Sequence, residues 1–400
     1  MKIQTFEPKR FLSQLPDFFL PVYDQLSVLG FTPVLVGGVV RDYFLTGKIG
    51  KDWDVELYHT TVAFNIDQWK QLGKRLASLG RVTYLPFEIL RLDVGGHQVE
   101  LSPPRIEHFL PELQSKGHKN FTAEFDYKLP FEKSVLRRDF TINAMGIRLS
   151  SRDGAEFLDP LSGLDHLREG VLVPCGKDFQ KDPVRFLRAL RFAGKLNFRM
   201  GPELTELLRT MGPLDYSAAY LWSEMQKSGD PLTFLEKLLK ERDLHPELRL
   251  PVDTEFLAKL SELRSNLENP ADHNAWVMAL CWCGLSWEKW QTYFSLGKDA
   301  GARLARWVDA SRAFSKIMPE SFHGEFEEIK DLPGFGQLFD WYFTTRNLLQ
   351  KNPELPLLKV IGEHLPHWIH LYQFEAPKDV KHIDPPLRAK YQVWNLCQRL

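Results

Sequence analysis

Two glycines and an arginine in the first part of the chain have the types and spacing of a phosphate-binding turn. The segment LVGGVVRD, residues 35–42, places Gly37 and Gly38 between a short apolar run and a helical pattern. Such a turn at a helix start lets backbone N–H groups approach phosphate, and Arg41 can pair with phosphate through two hydrogen bonds. Taken alone, a Gly-Gly pair is usually only a turn.

Two carboxylates, Asp52 and Asp54, follow in the segment KDWDVELY, residues 51–58. Because they are two positions apart on a predicted strand, they share one of its faces and can hold a pair of Mg²⁺ ions for in-line phosphoryl transfer. A DxD pair alone is usually solvated surface. The order strand, Gly-Gly, Arg-Asp and then DxD is rare, and it predicts a phosphoryl-transfer site.

Adjacent arginines form a second candidate in LRRDFTINAMGIRL, residues 136–149. Arg137 and Arg138, beside Asp139, could bind a triphosphate or organise the metal site. The alternative is a surface turn with local ion pairs.

A third candidate lies in the helical segment KDPVRFLRALRFAGKL, residues 181–196. Asp182 and Arg185 are three apart and can project together. A carboxylate accepts from an exocyclic amine and an arginine donates to a ring nitrogen, so this pair could accept CTP and ATP and reject UTP and GTP. The alternative for Asp182 is a helix N-cap before a proline at the first helical position.

The side of this predicted helix that lies opposite its apolar residues is basic, with Arg188, Arg191 and Lys195. We include Arg188 among the predicted nucleotide-binding residues. The alternative is a basic stripe in contact with solvent.

These residues need elements that position them, and residues 1–155 read as an α+β head with a small, mostly antiparallel sheet. A helix is predicted over 66–79. Alternation and Gly-containing turns predict strands over 34–36, 53–58, 81–85, 88–94, 97–102 and 141–149.

From about residue 156 the pattern becomes helical, without a convincing strand. The segment DPLSGLDHL, residues 159–167, reads as a helix cap at this junction. Helical spacing of apolar residues covers 182–196, 202–210, 218–227, 231–241, 254–268, 273–283, 300–315 and 356–370.

Composition narrows the class of protein. The 400 residues carry 51 Lys+Arg against 52 Asp+Glu, and 44% are hydrophobic, which excludes a disordered or collagen-like chain. The four cysteines fit neither a disulfide framework nor a zinc site. The N-terminal residues lack the apolar stretch of a signal peptide, and the apolar run 275–287 is too short to span a bilayer. We therefore expect a cytoplasmic protein without a membrane partner.

Four motifs occur in the order in which one known family carries them: LVGGVVRD with KDWD, RRDFTINAM, DPLSGLDHL and DPVRFLRALRF. Over roughly residues 32–200 the chain resembles the class II tRNA nucleotidyltransferase/poly(A) polymerase family, and most of all a bacterial CCA-adding enzyme. The resemblance implies a polymerase-β-like nucleotidyltransferase head over 1–155 and a helical neck with nucleotide-base recognition over 156–240. It also implies an all-α body and tail over 241–400 that bind tRNA.

The resemblance also implies an activity: template-independent transfer of CMP and AMP from CTP and ATP to the 3′ end of the tRNA acceptor arm, with release of pyrophosphate. Alternatives are a poly(A) polymerase, an A-only or CC-only tRNA enzyme, and a catalytically silent RNA-binding protein. In the implied site, Asp52 and Asp54 are catalytic and bind two Mg²⁺ ions, with Glu100 as a further ligand. The triphosphate is bound by Gly37, Gly38, Arg41, Arg137 and Arg138. The base is read by Asp182 and Arg185.

Three positions depart from the family pattern. Lys181 stands where an acidic residue commonly precedes the Asp-Pro pair, and Ser134 stands where the family often has Asp. In a later motif Glu224 is present, but Tyr220 stands near the expected arginine.

Overall fold

The computed structural model describes residues 3–50, 53–109, 121–211, 216 and 218–240, together with the single helical residues 258 and 261. One compact unit ends at Tyr216 and a second begins at Ser217. The first unit contains every described strand, and the described part of the second is helical.

The strands of the first unit form one large sheet and two small ones. They are β1 (Thr32–Val36), β2 (Trp53–Tyr58), β3 (Arg81–Leu85), β4 (Ile89–Val94), β5 (His97–Ser102), β6 (Arg105–Phe109), β7 (Phe121–Phe125), β8 (Gly146–Ser151), β9 (Gly154–Leu158), β10 (Val171–Leu172) and β11 (Arg199–Met200).

The large sheet has seven strands in the order β3-β4-β5-β2-β1-β8-β9. Among these described strands only β2 and β5 are parallel neighbours, so the sheet is mixed and the predicted, mostly antiparallel pairing is confirmed. In β2 the side chains of Asp54, Glu56 and Tyr58 share one face, because strand side chains alternate. Asp54 is the register partner of Val36 on β1 and of Glu100 on β5.

Helices cover the sheet and continue beyond it. They are α1 (Pro8–Leu12), α2 (Phe19–Val28), α3 (Gly38–Thr46), α4 (Ile66–Leu76), α5 (Phe131–Ser134), α6 (Gly163–Glu169), α7 (Val184–Lys195), α8 (Pro202–Thr210), α9 (Ala218–Lys227) and α10 (Pro231–Lys240).

Large aromatic side chains fill the core between the first helices and the sheet. Phe11 of α1 packs edge-on against Tyr43 of α3, with 5.0 Å between ring centroids. Phe19 of α2 stacks on Trp53 of β2 at 4.9 Å. The phenylalanines are fully buried, so α1, α2 and α3 are held against the sheet by apolar burial.

The helix α3 ends where its sequence predicts. Gly47 has a φ of 73°, a left-handed conformation that favours glycine, and its N–H donates to the carbonyl of Tyr43. The strand, glycine turn and helix predicted around Gly37 are therefore confirmed.

The strand predicted over 141–149 is only half right. Thr141–Asn143 form a 3₁₀ turn, and β8 begins at Gly146. The cause is tertiary: Asn143 makes side-chain hydrogen bonds with Arg41 and Asp139, and the Thr141 Oγ1 bonds with His166.

The large sheet has seven strands, one more than the six predicted from the sequence. The unpredicted β6–β7 hairpin and β9 lie outside the segments with clear alternation. The expectation of no strand beyond residue 156 is wrong, because β9 reaches Leu158 and the two-residue strands β10 and β11 pair in parallel.

The helices predicted over 182–196, 202–210, 218–227 and 231–241 are confirmed as α7 to α10. The helices predicted over 254–268, 273–283, 300–315 and 356–370 lie outside the described residues, apart from positions 258 and 261. Within the part of the chain that is described, no helix is long and apolar enough to span a membrane.

The helix cap predicted at the head–neck junction is confirmed at the start of α6. Asp159 accepts hydrogen bonds from the N–H groups of Gly163 and Leu164 at 2.6 and 2.9 Å.

The close packing of Gly163 yields a stability prediction. A Cβ added at Gly163 would lie 2.3 Å from the carbonyl oxygen of Thr141. We expect Gly163→Ala to lower the free energy of unfolding by about 1–3 kcal/mol through overpacking, measured by urea titration. The control Gly176→Ala, whose Cβ would meet only the Leu136 carbonyl oxygen at 3.6 Å, should stay within about 1 kcal/mol of wild type; equal losses would contradict the steric argument.

Candidate active site

The glycine turn lies directly beside the carboxylate of Asp54. Gly37 has a φ of 76°, and a Cβ added there would lie 3.1 Å from Asp54 Oδ2 and 3.4 Å from Arg138 Nη1. A Cβ added at Gly38 would lie 3.7 Å from Arg41 Nη2. The turn thus leaves room for backbone to approach a ligand between one carboxylate and two guanidinium groups.

The structure describes two of the three carboxylates that are predicted to bind metal. Asp54 and Glu100 are register partners on parallel neighbours, so their side chains share a face of the sheet. The Glu100 Oε1 accepts two hydrogen bonds from Arg91, at 2.6 and 3.0 Å. Asp52 lies outside the described residues. Within the described ranges, no three His, Cys, Asp or Glu side chains converge as a metal-binding group.

A carboxylate that the sequence reasoning overlooked, Glu56, lies two positions beyond Asp54 on the same face of β2. It is fully buried. Its Oε1 accepts from Arg137 Nη2 at 2.5 Å and from Arg138 Nη2 at 2.9 Å. Its Oε2 accepts from the hydroxyls of Tyr58 at 2.9 Å and Ser134 at 3.0 Å. Burial alone would raise the pKa of the Glu56 carboxyl, but the two arginines lower it to about 2.

Arg137 and Arg138 are therefore not part of a surface turn. Their side chains are 13% and 14% exposed, and their shared partner is a buried carboxylate more than eighty positions earlier in the chain. The Nε atoms of both arginines are buried without a hydrogen-bond partner in the described structure. Ser134, which replaces the aspartate of the family pattern, contributes a neutral hydroxyl to this cluster.

A second polar network connects α3 to α7. The Arg41 Nη1 donates to Asn143 Oδ1 at 2.7 Å, and the Asn143 Nδ2 donates to Asp139 Oδ1 at 3.0 Å. The other oxygen of Asp139 accepts from Arg188 Nε at 2.8 Å and Nη2 at 2.6 Å. Burial would raise the pKa of the Asp139 carboxyl, but Arg188 and Asn143 hold it well below its usual range. Arg188, predicted to bind nucleotide, is thus placed against the carboxylate of the RRD motif.

Asp182 and Arg185 meet at the start of α7, as their spacing predicts. The Arg185 Nε lies 3.7 Å from Asp182 Oδ2, and both side chains are largely buried. Asp182 Oδ1 also accepts from the N–H of Val184 at 2.9 Å, so the helix-capping alternative holds as well. The Arg185 Nη2 donates to the carbonyl oxygen of Arg137 at 2.6 Å, which links this pair to the RRD motif.

The basic side of α7 contacts solvent only in part: Lys195 is exposed, Arg188 is half-buried and Arg191 is buried. Arg191 is 7% exposed and its guanidinium lies 4.0 Å from the centre of the Phe192 ring. Lys181, just before α7, pairs with Asp178 at 2.6 Å and lies 5.4 Å from the Phe109 ring. Glu224 and Tyr220 belong to the second compact unit.

With this geometry established, comparison with known proteins shows what this part of the chain is similar to. Residues 34–173 match the family model of the poly A polymerase head domain. The resemblance inferred from the motifs is thereby confirmed over these residues.

The chain also matches curated proteins over about half of its length. The chain is 32% identical over 215 residues to a multifunctional CCA protein of Xanthomonas oryzae, with 51% of the chain and 47% of that protein covered. It is 32% identical over 219 residues to poly(A) polymerase I of Salmonella typhimurium, with 52% and 44% covered. The chain thus spans about half the length of these relatives.

A solved structure extends the likeness of the fold beyond the head domain. The chain superimposes on a Thermotoga maritima CCA-adding enzyme complexed with tRNA with a TM-score of 0.60 and 20% identity, covering 100% of this chain and 95% of that one. At this identity the likeness concerns the fold alone. It supports the α+β fold class assigned to the head domain.

The buried pair of Asp139 and Arg188 makes stability depend on pH. Because the pKa of Asp139 is lowered in the folded state, its contribution is complete above the ordinary aspartate pKa of about 3.9 and is lost as the pH falls further. We expect Asp139→Asn to reduce the free energy of unfolding at pH 7, with the difference from wild type shrinking between about pH 5 and pH 2. Urea titrations across this range would measure it.

The control for this experiment is Asp165→Asn, which breaks an exposed ion pair with Arg168. It should change the free energy of unfolding by no more than about 1 kcal/mol at any pH. A difference between wild type and Asp139→Asn that stays constant down to pH 2 would contradict the lowered pKa.

Proposed function

We propose that this protein is a template-independent tRNA nucleotidyltransferase that adds CCA, transferring CMP and AMP to the tRNA 3′ end with release of pyrophosphate. The observation that carries the proposal is the convergence of the Gly37 turn, the Asp54 carboxylate and the Arg138 guanidinium within hydrogen-bonding range of one position. Carboxylates beside guanidinium groups and free backbone N–H groups suit a metal-bound triphosphate.

The triphosphate is proposed to lie along the glycine turn. The N–H groups of Gly37 and Gly38 at the start of α3 would bind it, and Arg41 and Arg138 border the turn. Arg137 shares the carboxylate of Glu56 with Arg138 and is proposed to support the same site. Arg41 is held by Asp42 and Asn143, so its guanidinium is fixed before a ligand arrives. The role of these groups is to bind and orient the nucleotide for in-line attack by the primer hydroxyl.

The donor set on β2 fits Mg²⁺, which prefers carboxylate oxygens. Asp52 and Asp54 would be its ligands, with Glu100 on the neighbouring strand as a further one. Two bound Mg²⁺ ions supply activation of the primer hydroxyl and neutralisation of charge on the triphosphate.

The incoming base is proposed to be read by Asp182 and Arg185, since the pair presents one acceptor and one donor from neighbouring positions. Cytosine and adenine both show an amine beside an unprotonated ring nitrogen, which matches this pair. Arg188 supports the site through Asp139. The neck over 156–240 and the tRNA-binding body over 241–400 complete the proposal, and the body lies almost wholly outside the described residues.

A one-nucleotide-resolution extension assay tests this function. With Mg²⁺ and a tRNA transcript that lacks CCA, we expect two added nucleotides with CTP alone and three with CTP and ATP. Asp52→Ala/Asp54→Ala should slow extension by at least about a thousandfold, because metal coordination contributes several kcal/mol. Asp67→Ala, in the exposed first turn of α4, serves as the control and should extend normally.

Other products would redirect the assignment. A long ladder with ATP alone would indicate a poly(A) polymerase, the activity named for one relative. Only one A on a tRNA that already ends in CC, or only two C residues with both nucleotides, would indicate an A-only or CC-only enzyme. No extension of any RNA would contradict the proposal and favour an RNA-binding protein without catalysis.

A further inference from the structure

The pairing of Glu56 is more complete than a buried carboxylate needs for neutralisation alone. Four donors occupy it, with two guanidinium groups on Oε1 and two hydroxyls on Oε2. A carboxylate has about four acceptor positions, so no capacity remains for a further ligand such as a metal ion. Glu56 is therefore saturated by protein groups, although it lies only two positions from Asp54 on the same strand face.

The arginines, in contrast, are only partly used by this contact. Glu56 binds one terminal nitrogen of each, namely Arg137 Nη2 and Arg138 Nη2. The other terminal nitrogen of Arg138, Nη1, donates a long hydrogen bond of 3.5 Å to the carbonyl oxygen of Asn143. It also lies on the side of Gly37, where an added Cβ would approach it to 3.4 Å. One end of this guanidinium is thus anchored on Glu56, and the other end borders the glycine turn next to Asp54.

Arg138 stays charged because several carboxylates act on it. Burial would lower the pKa of its guanidinium, but Glu56, Asp54 and Asp139 together raise that pKa above its usual value. The side chains that complete the shell of Glu56, Tyr58 and Ser134, are neutral. A charged guanidinium fixed beside the glycine turn can pair with an anion that binds there.

We propose that Glu56 is a positioning residue: it anchors Arg137 and Arg138 so that Nη1 of Arg138 faces the triphosphate at the Gly37 turn. This inference rests on the proposed function for the identity of the ligand. Its chemical class, a triphosphate anion, is argued from the guanidinium and the glycine turn that meet there. Glu56 acts through Arg138 and does not touch the substrate.

The test is a double-mutant cycle on ATP binding, measured by calorimetry with the full chain and Mg²⁺. We expect Glu56→Gln to weaken ATP binding about tenfold, equivalent to about 1.4 kcal/mol, because the arginines lose their shared anchor. In an Arg138→Gln background the same change should have less than about a twofold effect, since residues that act through one another are not additive. A purely structural role would not produce this coupling.

Two further variants keep the test decisive. Glu156→Gln breaks the 2.6 Å ion pair with Arg148 on the same sheet and should leave ATP affinity unchanged. If Glu56→Gln does not fold, as judged by circular dichroism, Ser134→Ala and Tyr58→Phe each remove one hydrogen bond from Oε2 without removing a charge. Each should weaken ATP binding by about two- to fivefold at an unchanged far-UV spectrum, less than Glu56→Gln, because the carboxylate keeps both arginines.

The outcomes separate this inference from the proposed function. ATP affinity within twofold of wild type in Glu56→Gln, or in both hydroxyl variants, would overturn it, as would additive effects in the double mutant. A wild-type protein that extends tRNA while Glu56→Gln binds ATP normally would sink the positioning role alone. A wild type that binds ATP with the predicted coupling but extends no RNA would sink the proposed function alone. A wild type that binds no ATP would overturn both.

Discussion

A carboxylate removed from water has to be paired, and at Glu56 this requirement organises the candidate active site. The partners come from three parts of the head domain: Tyr58 on the same strand, Ser134 at the end of α5, and the arginines that follow it. Because all of them reach one carboxylate, the segment 134–138 lies beside β2, with Arg138 near Asp54. Pairing of this buried charge thus helps to fix the position of the RRD motif.

The Asp139 network continues this arrangement from the sheet to α7. Asp139 binds Asn143 and Arg188, and Asn143 in turn binds Arg41 at the start of α3. Buried polar groups with every partner in place restrict the side chains to one arrangement. The consequence is that polar contacts tie α3, the RRD motif and α7 together, beside the packing of Phe140 against Phe192 of α7.

The two networks place opposite charges on neighbouring sides of one turn. Asp54 contributes a carboxylate on β2, and Arg138 contributes a guanidinium beside the same glycine. A nucleoside triphosphate with bound Mg²⁺ has the complementary charges: its cations suit the carboxylate, and its phosphate oxygens suit the guanidinium. Arg185, bonded to the Arg137 carbonyl, connects that turn to the proposed base-reading pair. The geometry therefore accounts for why phosphate and base recognition are proposed to reside in one site.

Local spacing in the sequence determined the strand, glycine turn and helix around Gly37, the alternation of β2, and the bounds of α7 to α10. These features depend on neighbours within a few positions, where periodicity and turn chemistry act. Only the tertiary structure decided that Glu56 is the partner of Arg137 and Arg138, that Arg188 turns to Asp139, and that Thr141–Asn143 form a turn. The alternation in DVELY places Glu56 on the face of Asp54, but its partners lie 81 and 82 positions away. A local sequence pattern cannot reveal partners so far apart in the chain, because it is the tertiary fold that brings them together around a buried charge.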